Sequence, residues 1–319
     1  MKPTTSQPAK PQALIPNLFS AHITDELRCY DEHLRDVRGL ATDTRKGRLR
    51  TVGLFLQRKF GESAIEIGKL HPDDIRQFLA AQLNRKQSAS YSSHLAATLR
   101  SYLRYRATCG DPVGKLTAVI LNPVHWKLAS LPRALNPEQV ERLLSSISTA
   151  RRWPKRGYAI VRCALDMGLR AGEIAHLMLS DINWHTGTVM LRGTKSLRQD
   201  ILPLPMETGQ ALAEYLQHER HATHNPAIFV RQMAGQERAI TSGAIQKIIK
   251  RACRRIGLPH SSAHSLRHTL ACRLVENGSS LKEVADLLRH RSLNSTLIYA
   301  KLDTPKLATV ALPWPGSSS

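Results

Sequence analysis

Asn136-Pro137-Glu138-Gln139 starts a helix in the middle of the chain. Asparagine at an N-cap accepts from the backbone of the first turn, proline at the first helical position already has the required φ, and glutamine three residues after the cap can close a capping box. Just before it, residues 122–135 contain Pro123 and Pro132 and no hydrophobic period, so they read as a linker. This restart divides the 319 residues into two units, each long enough to bury a core of its own.

Residues 1–20 carry four prolines and no periodicity, which predicts a flexible arm. Residues 21–121 read as helical. Leu49, Val52, Phe55, Leu56 and Phe60 recur at three- and four-residue steps. His71-Pro72-Asp73-Asp74 has proline and carboxylates where a helix begins. A longer helix is predicted from about Ser90 to Ala107, with Gly110 as its stop. Arg100, Arg104 and Arg106 lie beside Tyr102 and Tyr105, either as a groove-facing surface or as a solvated helix face.

In the second unit, residues 136–305, Tyr158–Asp166 reads as helix and Gly168 as its break. Thr188–Arg192 and Asp200–Leu204 read as two strands joined by a turn that carries Lys195 and Arg198, and Ala227–Val230 as a short third strand. Ser242–Ile256 is a helix rich in cations: Lys247, Lys250, Arg251, Arg254 and Arg255 form either a phosphate track or a solvated face. Another helix begins near His264 and stops near Asn277-Gly278, and Ser280-Leu281-Lys282-Glu283 is the capping box of the next.

Lys and Arg total 46 against 25 Asp and Glu, a net charge of +21. The excess is +9 before residue 130 and +12 after it, so it is not a tail; both units are basic, as expected if both touch one polyanion. Nucleic acid is the natural partner. Five scattered cysteines with no Cys-x-x-Cys argue against a disulfide framework and a zinc site, and read as buried apolar residues in a reducing compartment. The chain has no 18-residue apolar run and no signal-peptide core, which predicts a cytoplasmic, nucleoid-associated protein with no membrane partner.

The last third contains His264-Ser265-Leu266-Arg267-His268, then Leu287-Leu288-Arg289-His290, then Tyr299; upstream stands Gly168-Leu169-Arg170-Ala171-Gly172-Glu173. Two arginines offer planar forks that match phosphate oxygens, two histidines donate or move protons near neutral pH, and one tyrosine offers a hydroxyl nucleophile. That set can attack a phosphodiester without a metal. His264 and His268 are four apart, yet no glutamate follows the first and no third ligand is suitably spaced, so a metal pair is disfavoured.

In the order Arg, Lys, His-x-x-Arg, His, Tyr, this chain resembles the tyrosine recombinases, or phage-type integrases, over most of residues 20–305. The resemblance implies a mainly α fold: a helical SAM-like core-binding domain, then an α+β catalytic domain with a small antiparallel sheet, the two clamping DNA. It implies Tyr299 as nucleophile, forming a 3′-phosphotyrosyl ester with a free 5′-hydroxyl, without metal, ATP or other cofactor. Arg170 and Arg267 would grip the non-bridging oxygens, His290 would donate to one of them, and His264 would bond the phosphate or assist the tyrosine's proton. Lys195, on the hairpin, would protonate the leaving oxygen, with Arg198 as a competitor. Glu173 would support the site, and His268 would pack or orient.

One departure stands out: the family's Leu-Gly-His is here Leu288-Arg289-His290, so Arg289 either strains a turn that glycine would suit or adds a DNA contact. The resemblance further implies four protomers on double-stranded DNA and leaves room for accessory DNA-bending or directionality proteins. The tail, residues 306–319, carries Leu307, Val310, Leu312 and Trp314, which would dock on a neighbouring protomer or on their own domain. A type IB topoisomerase and a DNA-binding protein on a retired integrase fold are the competing readings.

Overall fold

Ile23, Leu27, Tyr30 and Leu34 recur at steps of three and four, and none has exposed surface. They line one face of α1 (Ala21–Glu32) and of the π-helical turn His33–Val37 that extends it. In this computed structural model, which describes residues 18–85, 89–121, 134–192, 200–231, 237–290 and 295–302, the chain forms two compact units, Met1–Trp126 and Lys127–Ser319.

In the first unit α1 meets α2 (Thr42–Phe60), α3 (Pro72–Arg85), α4 (Ala89–Thr108) and α5 (Gly114–Ala118) around one apolar core. Ser20 caps α1, and Phe19 packs on Gly53 so closely that a Cβ there would stand 2.5 Å from the ring. Helix α2 begins well before the apolar pattern at Leu49, because Arg45 in its polar first turns is tied to Asp31 by two bonds of 2.8 and 3.1 Å.

The proposed mixed basic and aromatic surface on α4 is corrected. Tyr102 and Tyr105 are buried, and Tyr102 stacks edge-on against Tyr30 with ring centroids 5.3 Å apart. Tyr102 and Arg106 both donate to Glu26, at 2.8 and 3.0 Å, so they hold α4 to α1. Arg100 is half-buried and donates to the Ile120 carbonyl at 2.8 Å, while Arg104 is exposed.

The second unit is organised around α7 (Pro154–Asp166), in which Ala159 to Leu165 are all buried. A helix apolar on nearly all sides belongs inside a core. Packed on it are α6 (Pro137–Ser148), α9 (Met206–His218), α10 (Ser242–Arg255) and α11 (Ala263–Glu276). The capping box at Asn136 forms with both bonds, 2.8 and 3.1 Å, and that at Ser280 starts α12 (Leu281–Leu287). Between α7 and α9 lie α8 (Ala171–His176) and an antiparallel sheet, β1 (Ile182–Asn183), β2 (Thr188–Leu191) and β3 (Asp200–Pro203), in that order. Val189 pairs with Leu202, placing both on the buried face.

The third strand is therefore β1, not Ala227–Val230. That run is buried, but its two ends make isolated bridges to different segments, Ala227 to Met178 and Val230 to Ala239. An apolar tetrapeptide reads like a strand, but here no continuous partner lies beside it. The cysteine reading also needs correction: Cys163, Cys253 and Cys272 are buried, but Cys29 and Cys109 are exposed; all five are free. Among the described residues no helix is long and apolar enough to cross a membrane.

Candidate active site

Gly168 turns the chain out of α7 with φ of +59°. A Cβ at this position would lie 2.6 Å from Leu288 Cδ2 and 3.0 Å from Leu270 Cδ2, so glycine meets both a backbone and a packing demand. Gly168→Ala is expected to destabilise the fold by about 2–4 kcal/mol, combining left-handed strain and overpacking. Urea unfolding measures this; an unchanged midpoint would remove the packing argument. Two residues on, Arg170 begins α8, and Glu173 in its first turn accepts from the Arg170 amide at 2.8 Å and from Nη1 at 2.6 Å. The salt bridge and the phosphate role thus need not exclude each other, since other N–H groups of the fork remain.

Helix α11 presents His264, Arg267 and His268 along one face, at steps of three and four. Arg267 is 3% exposed. One terminal nitrogen donates to the Gly168 carbonyl and the other to the Leu288 carbonyl, so this side chain ties the turn after α7 to the end of α12. The rings of His264 and His268 are 4.2 Å apart at their centroids; His264 is exposed and His268 half-buried.

After α12, Arg289 takes the left-handed conformation, φ +53°, that glycine would adopt freely. Its side chain, 5% exposed, turns inward to Glu173 Oε2 at 2.8 Å and the Leu287 carbonyl at 2.9 Å. Of the two alternatives at this position, the strained turn is the one formed, and the side chain is engaged inward. Its own carbonyl accepts from Arg170 Nη2 at 3.2 Å, so Arg289 steadies Arg170 both directly and through Glu173. His290 follows, with Nδ1 2.7 Å from the hydroxyl of Thr296, a residue 1% exposed.

Tyr299, in the helical turn Leu297–Leu302, is 2% exposed. Its ring joins a small apolar cluster with Ala271, Cys272, Val275, Val284 and Leu288. Its hydroxyl lies 2.6 Å from His268 Nδ1. The structure thus gathers Arg170, Glu173, His264, Arg267, His268, Arg289, His290 and Tyr299 in one locality. Lys195 and Arg198 lie outside the described residues, as does the tail from residue 303. Lys247, Lys250, Arg251 and Arg254 are exposed on α10, whose inner face holds Ile245, Ile249, Ala252 and Cys253. Sequence reasoning missed Thr296 and assigned His268 only a packing or orienting role; Thr296 carries no local signal, being one threonine in a short polar run.

Burial, and after it the crowding of cations, sets the protonation states. Burial first, then His264, Arg267 and His290, pushes the His268 pKa down to about 4. Burial, then Arg267 and Arg170, does the same for His290, also to about 4. His264 is lowered by partial desolvation and the same two arginines. Arg267 falls to about 9, through burial and then Arg170 and Arg289, and stays charged at neutral pH. Burial opposes ionisation of Glu173, but Arg289 and Arg170 outweigh it and hold its pKa below the usual range. Burial raises that of Tyr299, Cys272 adds to this, and Arg267 counters in part. With both groups neutral, His268 in its Nε2–H tautomer accepts the Tyr299 hydroxyl at Nδ1. In the same tautomer His290 accepts from the Thr296 hydroxyl at Nδ1 and keeps Nε2–H as a donor.

A histidine whose folded pKa lies below its unfolded value near ~6.5 contributes stability that is full above that pH and is lost as pH falls through the folded pKa. The melting temperature is thus expected to drop between about pH 6.5 and 4, and His290→Gln to flatten part of that drop. A thermal series across this window checks it; a flat profile for the unaltered chain would contradict the neutral-histidine assignment. Among the described residues no group of three or more His, Cys, Asp or Glu is placed to hold a metal ion.

In this mainly helical unit with a small antiparallel sheet, arginines, neutral histidines and the buried Tyr299 meet in one site, a set of groups suited to binding and attacking a phosphate ester. The phage integrase family matches residues 133–305. "Putative integrase/recombinase y4rA" of Sinorhizobium fredii is 33% identical over 298 residues, covering 93% of this chain and 72% of that protein. "Tyrosine recombinase XerD" of Listeria monocytogenes is 29% identical over 280 residues, 86% of this chain and 92% of that one. In fold, the chain resembles a lambda integrase tetramer bound to a Holliday junction, with a TM-score of 0.64 and 18% identity over 86% of this chain and 78% of that one. The chain belongs to the phage integrase family and is a tyrosine-type site-specific recombinase.

Proposed function

We propose that this protein cuts and rejoins double-stranded DNA by transesterification, with Tyr299 as nucleophile and a 3′-phosphotyrosyl ester as intermediate. The observation that carries this reading is the buried tyrosine hydroxyl 2.6 Å from His268, on the helix face that also bears Arg267 and His264. Arg170 and Arg267 bind the non-bridging oxygens with the N–H groups their protein partners leave open. Charge grows on these oxygens as phosphorus becomes five-coordinate, so preorganised donors favour the transition state over bound DNA. His290 donates from Nε2, and His264 bonds the phosphate from the exposed side. Lys195, by resemblance, protonates the leaving 5′-oxygen. Glu173 and Arg289 keep Arg170 aimed.

The ester conserves the energy of the broken bond, so rejoining requires no ATP. Exposed Lys247, Lys250, Arg251 and Arg254 on α10, with exposed Arg104 and, by the sequence reading, Arg198, follow the phosphate backbone. Strand exchange between two duplexes needs four cleavage sites, hence four protomers on DNA, a stoichiometry that the tetrameric lambda integrase complex supports. Accessory DNA-bending or directionality proteins act from outside the chain, and the working location is the nucleoid.

Covalent capture tests the reading. Cells expressing the protein are lysed in denaturing detergent, the protein is purified, the attached DNA is sequenced and the attached peptide mapped. Discrete loci joined through the peptide that contains Tyr299 are the expected result. Attachment through another residue, or duplex binding with no attached DNA, would refute it; attachment without site preference would reduce the activity to strand relaxation.

A further inference from the structure

We propose that His268, the residue after the arginine of the His-x-x-Arg motif, takes the proton from Tyr299 as its oxygen attacks phosphorus. The proposal rests on Tyr299 being the nucleophile and adds the destination of its proton. Geometry supports it. His268 Nδ1 is 2.6 Å from Tyr299 Oη, within the reach a general base needs, and the two rings meet edge to face at 5.5 Å. Tyr299 is packed in an apolar cluster and 2% exposed, so its hydroxyl has this nitrogen, rather than bulk water, as the base within reach.

In the forward step the Tyr299 Oη–P bond forms and the P–O5′ bond breaks. The phenolic proton passes to His268 Nδ1, and the leaving oxygen takes its proton from Lys195. In rejoining, the O5′ hydroxyl returns its proton to Lys195 and attacks, the P–O5′ bond re-forms, the Oη–P bond breaks, and the imidazolium returns the proton to Oη. The groups around His268 make this base depend on substrate. His264 and Arg267 on its own helix and His290 from the segment after α12 all disfavour a charged ring. A docked phosphate is the opposite charge and favours it, so His268 gains basicity only once DNA is seated. The empty site cannot readily ionise its nucleophile, and premature attack is thereby suppressed.

The test uses the full chain and a nicked duplex that traps the covalent complex, under single turnover with saturating DNA. Asparagine is the informative replacement, because its side-chain oxygen can keep the hydrogen bond from Tyr299 but cannot accept the proton. His268→Asn and His268→Ala are both expected to slow attachment by about 10²–10³-fold with unchanged duplex affinity, within the usual range for general base loss. A duplex with sulfur in place of the 5′-bridging oxygen needs no acid for its leaving group. Both variants should stay slow on it, whereas Lys195→Ala should recover.

Near-normal attachment by His268→Asn would reduce His268 to a positioning role and overturn the proposal. Recovery of His268→Asn on the sulfur duplex would assign the residue to the leaving group and also overturn it. If the unaltered chain attaches to no DNA in this assay, the nucleophile assignment itself has failed. If it attaches and His268→Asn is equally fast, only the proton path has failed.

Discussion

Tyr299→Phe is expected to bind duplex DNA as tightly as the unaltered chain and to leave no protein attached to it. The expectation of an intact fold follows from packing. The ring, 2% exposed, lies against Ala271, Cys272, Val275, Val284 and Leu288, and phenylalanine fills the same volume. Only the hydroxyl is lost, with its bond to His268, so stability should change by about 1 kcal/mol or less. The chemical loss is of another order. Removing the nucleophile of a covalent mechanism costs on the order of 10⁴-fold or more. Single-turnover attachment to a nicked duplex, run beside an equilibrium binding curve, separates the two effects. Residual attachment within about a hundredfold of the original rate would mean that a different side chain attacks.

Arg267→Ala combines a chemical and a structural loss. The guanidinium, 3% exposed, holds the carbonyls of Gly168 and Leu288, and its truncation leaves both buried acceptors without this donor. An unsatisfied buried acceptor costs about 1–3 kcal/mol, so a destabilisation of about 2–5 kcal/mol is expected. Loss of one preorganised donor to a developing oxyanion adds about 10²–10³ in rate. Arg267→Lys should recover part of the stability and little of the rate, since one ammonium cannot span two carbonyls and a phosphate. Urea midpoints and single-turnover rates report the two losses separately. An unchanged midpoint together with a rate within about tenfold of normal would show that Arg267 neither joins the segments nor meets the phosphate.

What could be read from the chain was what local chemistry decides. The capping boxes at Asn136 and Ser280 need only neighbours in sequence, and both form with the bonds foreseen. The His264–Arg267 step places two groups on one helix face whatever surrounds it. Other features depended on partners distant in sequence. Tyr102 and Tyr105 looked like surface aromatics until Glu26 and Tyr30, more than seventy residues away, were brought against α4. Ala227–Val230 had the composition of a strand but no continuous neighbour to pair with. Thr296 and the His268–Tyr299 bond arise only when the segment after α12 returns across α11. The inward turn of Arg289 required the buried carboxylate of Glu173, and nothing near residue 289 in the chain announces it.

The left-handed turn at Arg289 also sets how the site responds to substitution. Glycine holds such a turn freely, whereas arginine holds it at about 1–2 kcal/mol of strain, which the bond to buried Glu173 offsets. Residues 173 and 289 are therefore a unit whose order of loss matters. If Arg289 is replaced by glycine, the backbone relaxes and Glu173 keeps Arg170. If Glu173 goes first, a buried guanidinium on a strained turn keeps only carbonyl partners and loses its counter-charge. The pair is therefore unequal: losing the arginine relaxes the turn, whereas losing the carboxylate leaves a buried cation unpaired by charge.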